Sequence, residues 1–233
     1  MTAGASPRSA PDTRFLRAIW TIPELSEHPV TVSRLARSLG HTPGTVSDRI
    51  KRLASRGLVE HERYGAVALT PEGKRDALRA VRVHRQLRCV LAELFDYPWP
   101  ELSDDAEGLE VAVTDRFMTL AAQRLGSPEF DPYGEPIPRL DGTVPALLDG
   151  PLMTASTAHA RISRVVSASK AVLRTLDGHS LRPGATLQVV SWNPSVGVLR
   201  VTGPRGEAEL GLAAVRSLRT LREPGVQAAF GAG

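Results

Sequence analysis

The chain has 233 residues and a net charge of +4, from 29 Lys/Arg against 25 Asp/Glu, a length that accommodates one to three domains. Hydrophobic residues make up 42% but no run reaches membrane-spanning length, and the opening MTAGASPRSAPDTR lacks the apolar stretch of a secretory signal, so neither a membrane protein nor a secreted one is expected. The single cysteine, Cys89, excludes an internal disulfide, a zinc ribbon and a cysteine redox pair, and a cytoplasmic location is expected.

Charge is unevenly placed. Only three of the 29 basic residues are lysine (Lys51, Lys74, Lys170); residues 1–59 carry nine Lys/Arg against four Asp/Glu, whereas 89–115 carry eight acids and no Lys or Arg. The basic end suits an anion such as nucleic acid and the acidic middle suits a cation.

In chain order, residues 1–11, rich in Ala, Ser and Pro, read as a disordered lead. From Thr13, the spacing of Phe15, Leu16, Ile19 and Trp20 predicts a helix that Pro23 ends. Val32, Leu35, Ala36 and Leu39 predict a second, with Gly40 as its C-terminal stop. A third follows at once: Thr42 is a good N-cap, Pro43 suits the first helical position, Val46, Ile50 and Leu53 form the buried stripe and Gly57 ends it. LVEHERYGAVALTPEG then alternates around Tyr64-Gly65, as a two-stranded hairpin does. Three helices with a short turn between the second and third, followed by a hairpin, make the winged helix-turn-helix plan, against the competing reading of a generic small α/β domain. In that plan the third helix enters the major groove. Thr42, Pro43, Gly44, Thr45, Ser47 and Asp48 are the candidate base readers, Arg52 and the wing's Arg63 the candidate phosphate contacts, within a basic cluster of Arg49, Lys51, Arg52 and Arg56.

A long helix is predicted from Pro71 to Leu94, a break at YPWP (97–100), and one further helix from about Asp104 to Leu125. This pair carries more apolar surface than one thin hairpin can bury, and homodimer packing through residues 75–125 is expected. After the Pro/Gly-dense SPEFDPYGEPIPRLDGTVP, the period changes: RISRVV, TLQVVSW, VGVLRV and EAELGL are short strands interrupted by the helical stretch SKAVLRTL, a small SH3-like barrel by size and strand count. The predicted fold is mainly α with small β. Its parts are a disordered lead (1–11), a winged helix-turn-helix DNA-binding domain (12–73), a helical metal-binding and dimerisation domain (74–140), a linker (141–156) and an SH3-like domain (157–223).

Glu107 and Glu110 stand three apart in EGLE, on one face of the predicted helix, and His84 lies on the helix before it. Two carboxylates and an imidazole suit Mn²⁺, Fe²⁺ or Zn²⁺; a solvated acidic face beside one histidine accounts for the same residues.

The whole order resembles the diphtheria toxin repressor family of iron- and manganese-dependent transcriptional regulators. The likeness is carried by Phe15-Leu16-Arg17-Ala18-Ile19-Trp20, Thr45-Val46-Ser47, Gly57-Leu58-Val59, Leu69-Thr70-Pro71-Glu72-Gly73, His84-Arg85 and Glu107-Gly108-Leu109-Glu110. It continues in Asp131-Pro132-Tyr133-Gly134-Glu135-Pro136-Ile137-Pro138, the most specific string, and in LRPGATLQVV at 181–190. The resemblance implies a dimer that binds a double-stranded DNA operator, represses metal-homeostasis genes in response to Mn²⁺ or Fe²⁺, and draws metal ligands from the helix junction: His84, Glu107 and Glu110. Departures are plain. Val111 stands where the family has a second histidine, Arg14 where the first helix supplies a ligand, and Arg88 and Ser103 replace the glutamate and histidine of an ancillary site. A guanidinium can itself pair with Glu107 or Glu110 in the space of a dication, and Asp12 is a substitute oxygen donor if the first helix starts earlier. A regulator of the same fold with a degenerate, metal-independent site is therefore the alternative. A biotin-ligase-like enzyme shares the order winged helix, central segment, barrel, but the central segment has neither the length nor the Gly/Arg-rich adenylate loop, and no enzyme is expected.

Overall fold

In the computed structural model, which describes residues 10–25, 28–61, 65–152 and 159–221, the first helix, α1, spans Ala10–Thr21. It starts three residues before Thr13 and takes in the end of the stretch expected to be disordered, because a proline in the first turn gives up only an N–H that has no helical partner. Residues 1–9 lie outside the described residues. The described chain divides into two compact units: one of residues up to 91 with 103–129 and 137–145, the other of 92–102, 130–136 and 146 onward.

In the first unit, α2 (Val32–Leu39) is capped by the Thr31 hydroxyl and stops at Gly40 with φ +66°, a backbone region where a side chain is strained. Helix α3 (Pro43–Ser55) follows, with Thr42 as N-cap. Strands β1 (Val59–His61) and β2 (Val67–Leu69) pair antiparallel with Val59 opposite Leu69. Phe15, Leu16 and Ile19 of α1, Leu35 and Leu39 of α2, Val46, Ile50 and Leu53 of α3, and Val59 and Val67 of the hairpin share one core. Each large apolar side chain so buried contributes roughly 1.5–3 kcal/mol. Helix α4 (Pro71–Phe95) begins where the Thr70 hydroxyl accepts from Gly73 N at 3.0 Å and donates to Gly57 O at 2.7 Å. A β-carbon on Gly73 would stand 1.8 Å from Leu58 O, so the TPEG turn needs glycine for close approach.

The helix expected from Asp104 to Leu125 is two. Helix α5 (Leu102–Leu109) ends, and α6 (Asp115–Arg124) restarts under Thr114, whose hydroxyl accepts from Phe117 N at 3.2 Å. A capping threonine followed by an aspartate in the first turn offers the backbone a new start. Glu110 consequently lies just past the end of α5, its N–H still bonded to Ala106 O at 3.0 Å.

In the second unit, strands β3 (Asp149–Pro151), β4 (His159–Val165), β5 (Thr186–Asn193), β6 (Val198–Gly203), β7 (Gly206–Gly211) and β8 (Leu218–Leu221) form an antiparallel sheet in the order β3-β8-β4-β5-β6-β7. Register shifts between β4 and β8 and between β5 and β6 curl it, and Leu187, Val189, Leu199, Val201, Ala208 and Leu210 point to one buried face. This is the SH3-like part, with α7 (Lys170–Gly178) between β4 and β5 and an unexpected short α8 (Leu212–Ser217) before β8. Strand β3 falls inside the stretch read as a linker, where its pairing partner, β8, is some seventy residues away in sequence. The DPYGEP turn is built on Asp131, whose Oδ1 accepts from the N–H of Tyr133 and of Glu135, both at 2.9 Å. Gly134 (φ +78°) backs onto Ser163 O, 1.9 Å from where a β-carbon would sit.

Candidate nucleic-acid interface and cation site

Helix α3 buries Val46, Ile50 and Leu53 completely, which turns Thr42, Pro43, Thr45 and Asp48 outward with Ser47 half-buried. The Thr42 hydroxyl accepts from Thr45 N at 3.2 Å and lies 2.9 Å from Thr45 Oγ1, so its first role is to start the helix. The basic cluster separates into two pairs. Arg49 Nη1 and Arg56 Nη1 both turn inward and donate to the two oxygens of Asp12, at 3.0 and 2.5 Å. Asp12 is 6% exposed. It is therefore engaged in tying α1 to α3 and is no substitute metal ligand, although the helix does start early enough to include it. Lys51 and Arg52 stay exposed; Lys51 Nζ is 3.7 Å from Asp48 with both side chains more than 70% exposed, a contact worth little. Arg63 lies outside the described residues.

The three residues expected as metal ligands come together at the junction of α1, α4 and α5. His84 Nδ1 is 3.3 Å from Glu110 Oε2, without the geometry of a hydrogen bond, and Glu110 has only 2% of its side chain exposed. The space among them holds arginine. Arg17 forks across both acids, Nη1 to Glu110 Oε2 at 2.5 Å and Nη2 to Glu107 Oε2 at 2.9 Å, and Arg14 Nε adds Glu107 Oε1 at 3.0 Å. Arg14 was the expected cation; Arg17 is the central one. Its signal in the sequence was an arginine set within the apolar face of Phe15-Leu16 and Ala18-Ile19, where burial of the guanidinium requires an acid from elsewhere. Val111, at the family's second histidine position, is 55% exposed and the Arg88 that replaces an ancillary glutamate is 4% exposed.

Burial holds the His84 imidazole well below the usual histidine range, and the charges of Arg17, Arg88 and Arg85 push the same way. Burial lifts the Glu110 carboxyl to about 7, against the pull of Arg17. The Arg17 guanidinium is itself lowered by burial, which Glu110 and Glu107 oppose. Two carboxyl groups thus already face two guanidiniums. The donor types suit a dication, but as arranged they do not fit one: both carboxylates are engaged by arginine, and among the described residues no group of three or more His, Cys, Asp or Glu is disposed to hold a metal ion. Next to His84 on α4, Arg85 is 1% exposed and donates from Nη2 to Glu24 Oε2 at 2.7 Å, fastening the turn after α1 to α4.

Residues 12–67 match the N-terminal DNA-binding domain of the iron-dependent repressors, and residues 70–139 match their metal-binding and dimerisation domain. The chain is 28% identical over 152 residues to the iron-dependent repressor IdeR of Mycobacterium leprae, covering 65% of this chain and 63% of that one. It is 27% identical over 135 residues to the diphtheria toxin repressor of Corynebacterium jeikeium, covering 58% and 56%. These matches thus span just over half to just under two thirds of the relatives' lengths. Among solved structures, a manganese-dependent transcriptional repressor in complex with manganese superposes with a TM-score of 0.83 at 34% identity, over 90% of this chain and 99% of that one. The T. acidophilum IdeR gives 0.75 at 27% identity, over 93% and 100%.

Proposed function

Because the chain belongs to the iron-dependent repressor family, we propose that it is a homodimeric, sequence-specific DNA-binding transcriptional regulator acting in the cytoplasm, with metal-homeostasis genes as its target class. Divalent metal, iron or manganese, is the cofactor of the family, and His84, Glu107 and Glu110 are the positions at which this chain would meet it. The observation that carries the DNA reading is α3: three fully buried apolar residues fix its orientation and leave Thr45, Asp48, Lys51 and Arg52 exposed to solvent, with Ser47 half-buried at the edge of that side. Thr45, Ser47 and Asp48 are suited to base edges, and Asp48 accepts from a cytosine amine; Arg52 is suited to phosphate. Dimerisation is supported by Leu109 and Val111 at the end of α5 and Phe117 and Leu120 of α6, which are 42–56% exposed in this single chain. A two-fold dimer sets two α3 helices at half-sites one turn of DNA, about 34 Å, or its multiples apart.

The test is selection from a duplex library with a random core, followed by binding of the selected duplex over a salt series. A two-fold repeated motif is expected, and a log–log salt slope that shrinks by about 0.9 for Arg52→Ala with sequence preference unchanged. Recovery of no motif, or an Arg52→Ala protein with unaltered affinity and slope, would refute the assignment.

A further inference from the structure

We propose that Arg17, assisted by Arg14, takes the place of the dication: the guanidinium fork spanning Glu107 and Glu110 holds α1 against the helical segment without metal, so that the regulator binds its operator in the metal-free state. The inference rests on the regulator reading above and concerns what controls it.

The geometry is that of a clasp between two parts of one unit. Arg14 and Arg17 stand one turn apart on α1, so both reach the same side. Glu107 projects from α5 and Glu110 from the residue past its end, and His84 closes the site from α4. Three carboxylate oxygens are engaged by three guanidinium nitrogens at 2.5–3.0 Å, charge-assisted bonds of the stronger kind. A planar fork meets two carboxylates at once and cannot lose its proton, which makes arginine the side chain suited to a permanent cation here. Occupancy points the same way: both carboxylates already bond guanidinium nitrogens, and a dication set beside two guanidiniums adds positive charge to positive charge, so metal has to displace Arg17 to enter.

The clasp also reaches the DNA-binding helix. Five residues before Arg17, on the same helix α1, Asp12 holds Arg49 and Arg56 of α3. Acid to arginine across α5 and α1, then acid to arginine across α1 and α3, the chain of ion pairs runs from the helical segment to the base-reading helix through a single rigid element. Arg17 is in this sense a positioning residue: it touches no base and sets where α3 stands.

The experiment uses the full chain, stripped with EDTA and dialysed, with metal content measured by mass spectrometry, and the duplex obtained by the selection above. Anisotropy titrations are run without metal and with Mn²⁺, Fe²⁺ or Zn²⁺, and hydrogen exchange of α1 is followed in parallel. Wild-type affinity is expected to change less than about twofold on adding any of the three. Arg17→Leu is expected to lose about tenfold or more in metal-free affinity together with α1 protection, and to regain part of both with Mn²⁺, since Glu110 and the Glu107 oxygen not held by Arg14 then lose their guanidinium partner. A purely structural role for Arg17 would not be rescued by a metal. Arg17→Lys, which keeps charge and stem but not the fork, decides in the same way if the leucine variant does not fold. Wild type that binds only with metal, or an Arg17 variant that binds metal-free as tightly as wild type, overturns the inference and leaves the regulator standing. Wild type that binds no duplex under either condition removes the regulator reading and the inference with it.

Discussion

The Arg17–Glu110 pair makes a pH-resolved prediction for stability. Folding raises the Glu110 carboxyl from its ordinary 4.5 to about 7 because burial outweighs Arg17. A carboxyl raised in the folded state contributes most below its unfolded value, and that contribution falls as pH climbs from about 4.5 to 7 and then levels. Replacing Arg17 by alanine removes the one interaction holding the value down most strongly, so the folded carboxyl titrates higher still. The electrostatic difference between Arg17→Ala and wild type is then small at pH 6 and grows by about 1.4 kcal/mol per unit above pH 7, until the variant's own carboxyl ionises. Added to it is a constant loss of about 1–2 kcal/mol for the aliphatic stem of a side chain that is 12% exposed. His84, held well below its ordinary 6.5 by burial, takes up a proton on unfolding only at the acid end of the series, so its contribution fades above pH 7, where the Arg17–Glu110 difference grows. The measurement is urea denaturation in EDTA at half-unit steps from pH 6 to 9 for wild type, Arg17→Ala, Glu110→Gln and the double variant. The Arg17→Ala deficit should widen with pH, and Arg17→Ala/Glu110→Gln should not show the widening. A deficit constant from pH 6 to 9, or one that survives in the double variant, would show that Glu110 is not a buried titrating partner of Arg17.

Three further outcomes are expected. Asp12→Ala, which strips Arg49 and Arg56 of a carboxylate bonded at 3.0 and 2.5 Å, should cost about 2–3 kcal/mol in denaturation and loosen α3 in hydrogen exchange; unchanged protection of α3 would refute its linking role. Gly73→Ala should lower the melting midpoint despite alanine's advantage of about 1 kcal/mol in helix propensity, because its β-carbon falls 1.8 Å from Leu58 O; a neutral or stabilised variant would mean that β1 and α4 are not in this register. Phe117→Glu with Leu120→Glu, on a helix face 45% and 56% exposed in one chain, should give a monomer in sedimentation with the winged helix still folded, and a persistent dimer would place the interface elsewhere.

What the sequence determines by itself is local. The 3.6-residue spacing of Leu35, Leu39, Val46, Ile50 and Leu53, the caps Thr42 and Pro43, the stop at Gly40 and the two-residue alternation of the C-terminal strands announce the winged helix and the SH3-like sheet, because each signal acts within one or two turns of chain. The grouping of His84, Glu107 and Glu110 was legible too, from spacing and from the family it resembles. Other features depend on tertiary contact. The strand inside the supposed linker exists only because β8 returns to pair with it. Arg49 and Arg56 read in sequence as members of one basic cluster with Lys51 and Arg52, yet they face Asp12, 37 and 44 residues back. Arg17, set among apolar neighbours in the sequence, shows that it needs an acid but not which one, until the fold brings Glu110, 93 residues on, and Glu107, 90 residues on, to its fork. A side chain's propensity is set by its neighbours along the chain, but the partner of a buried charge is set by desolvation, which no local pattern encodes: a guanidinium carried into the interior must find its acid wherever the packing of other helices places one.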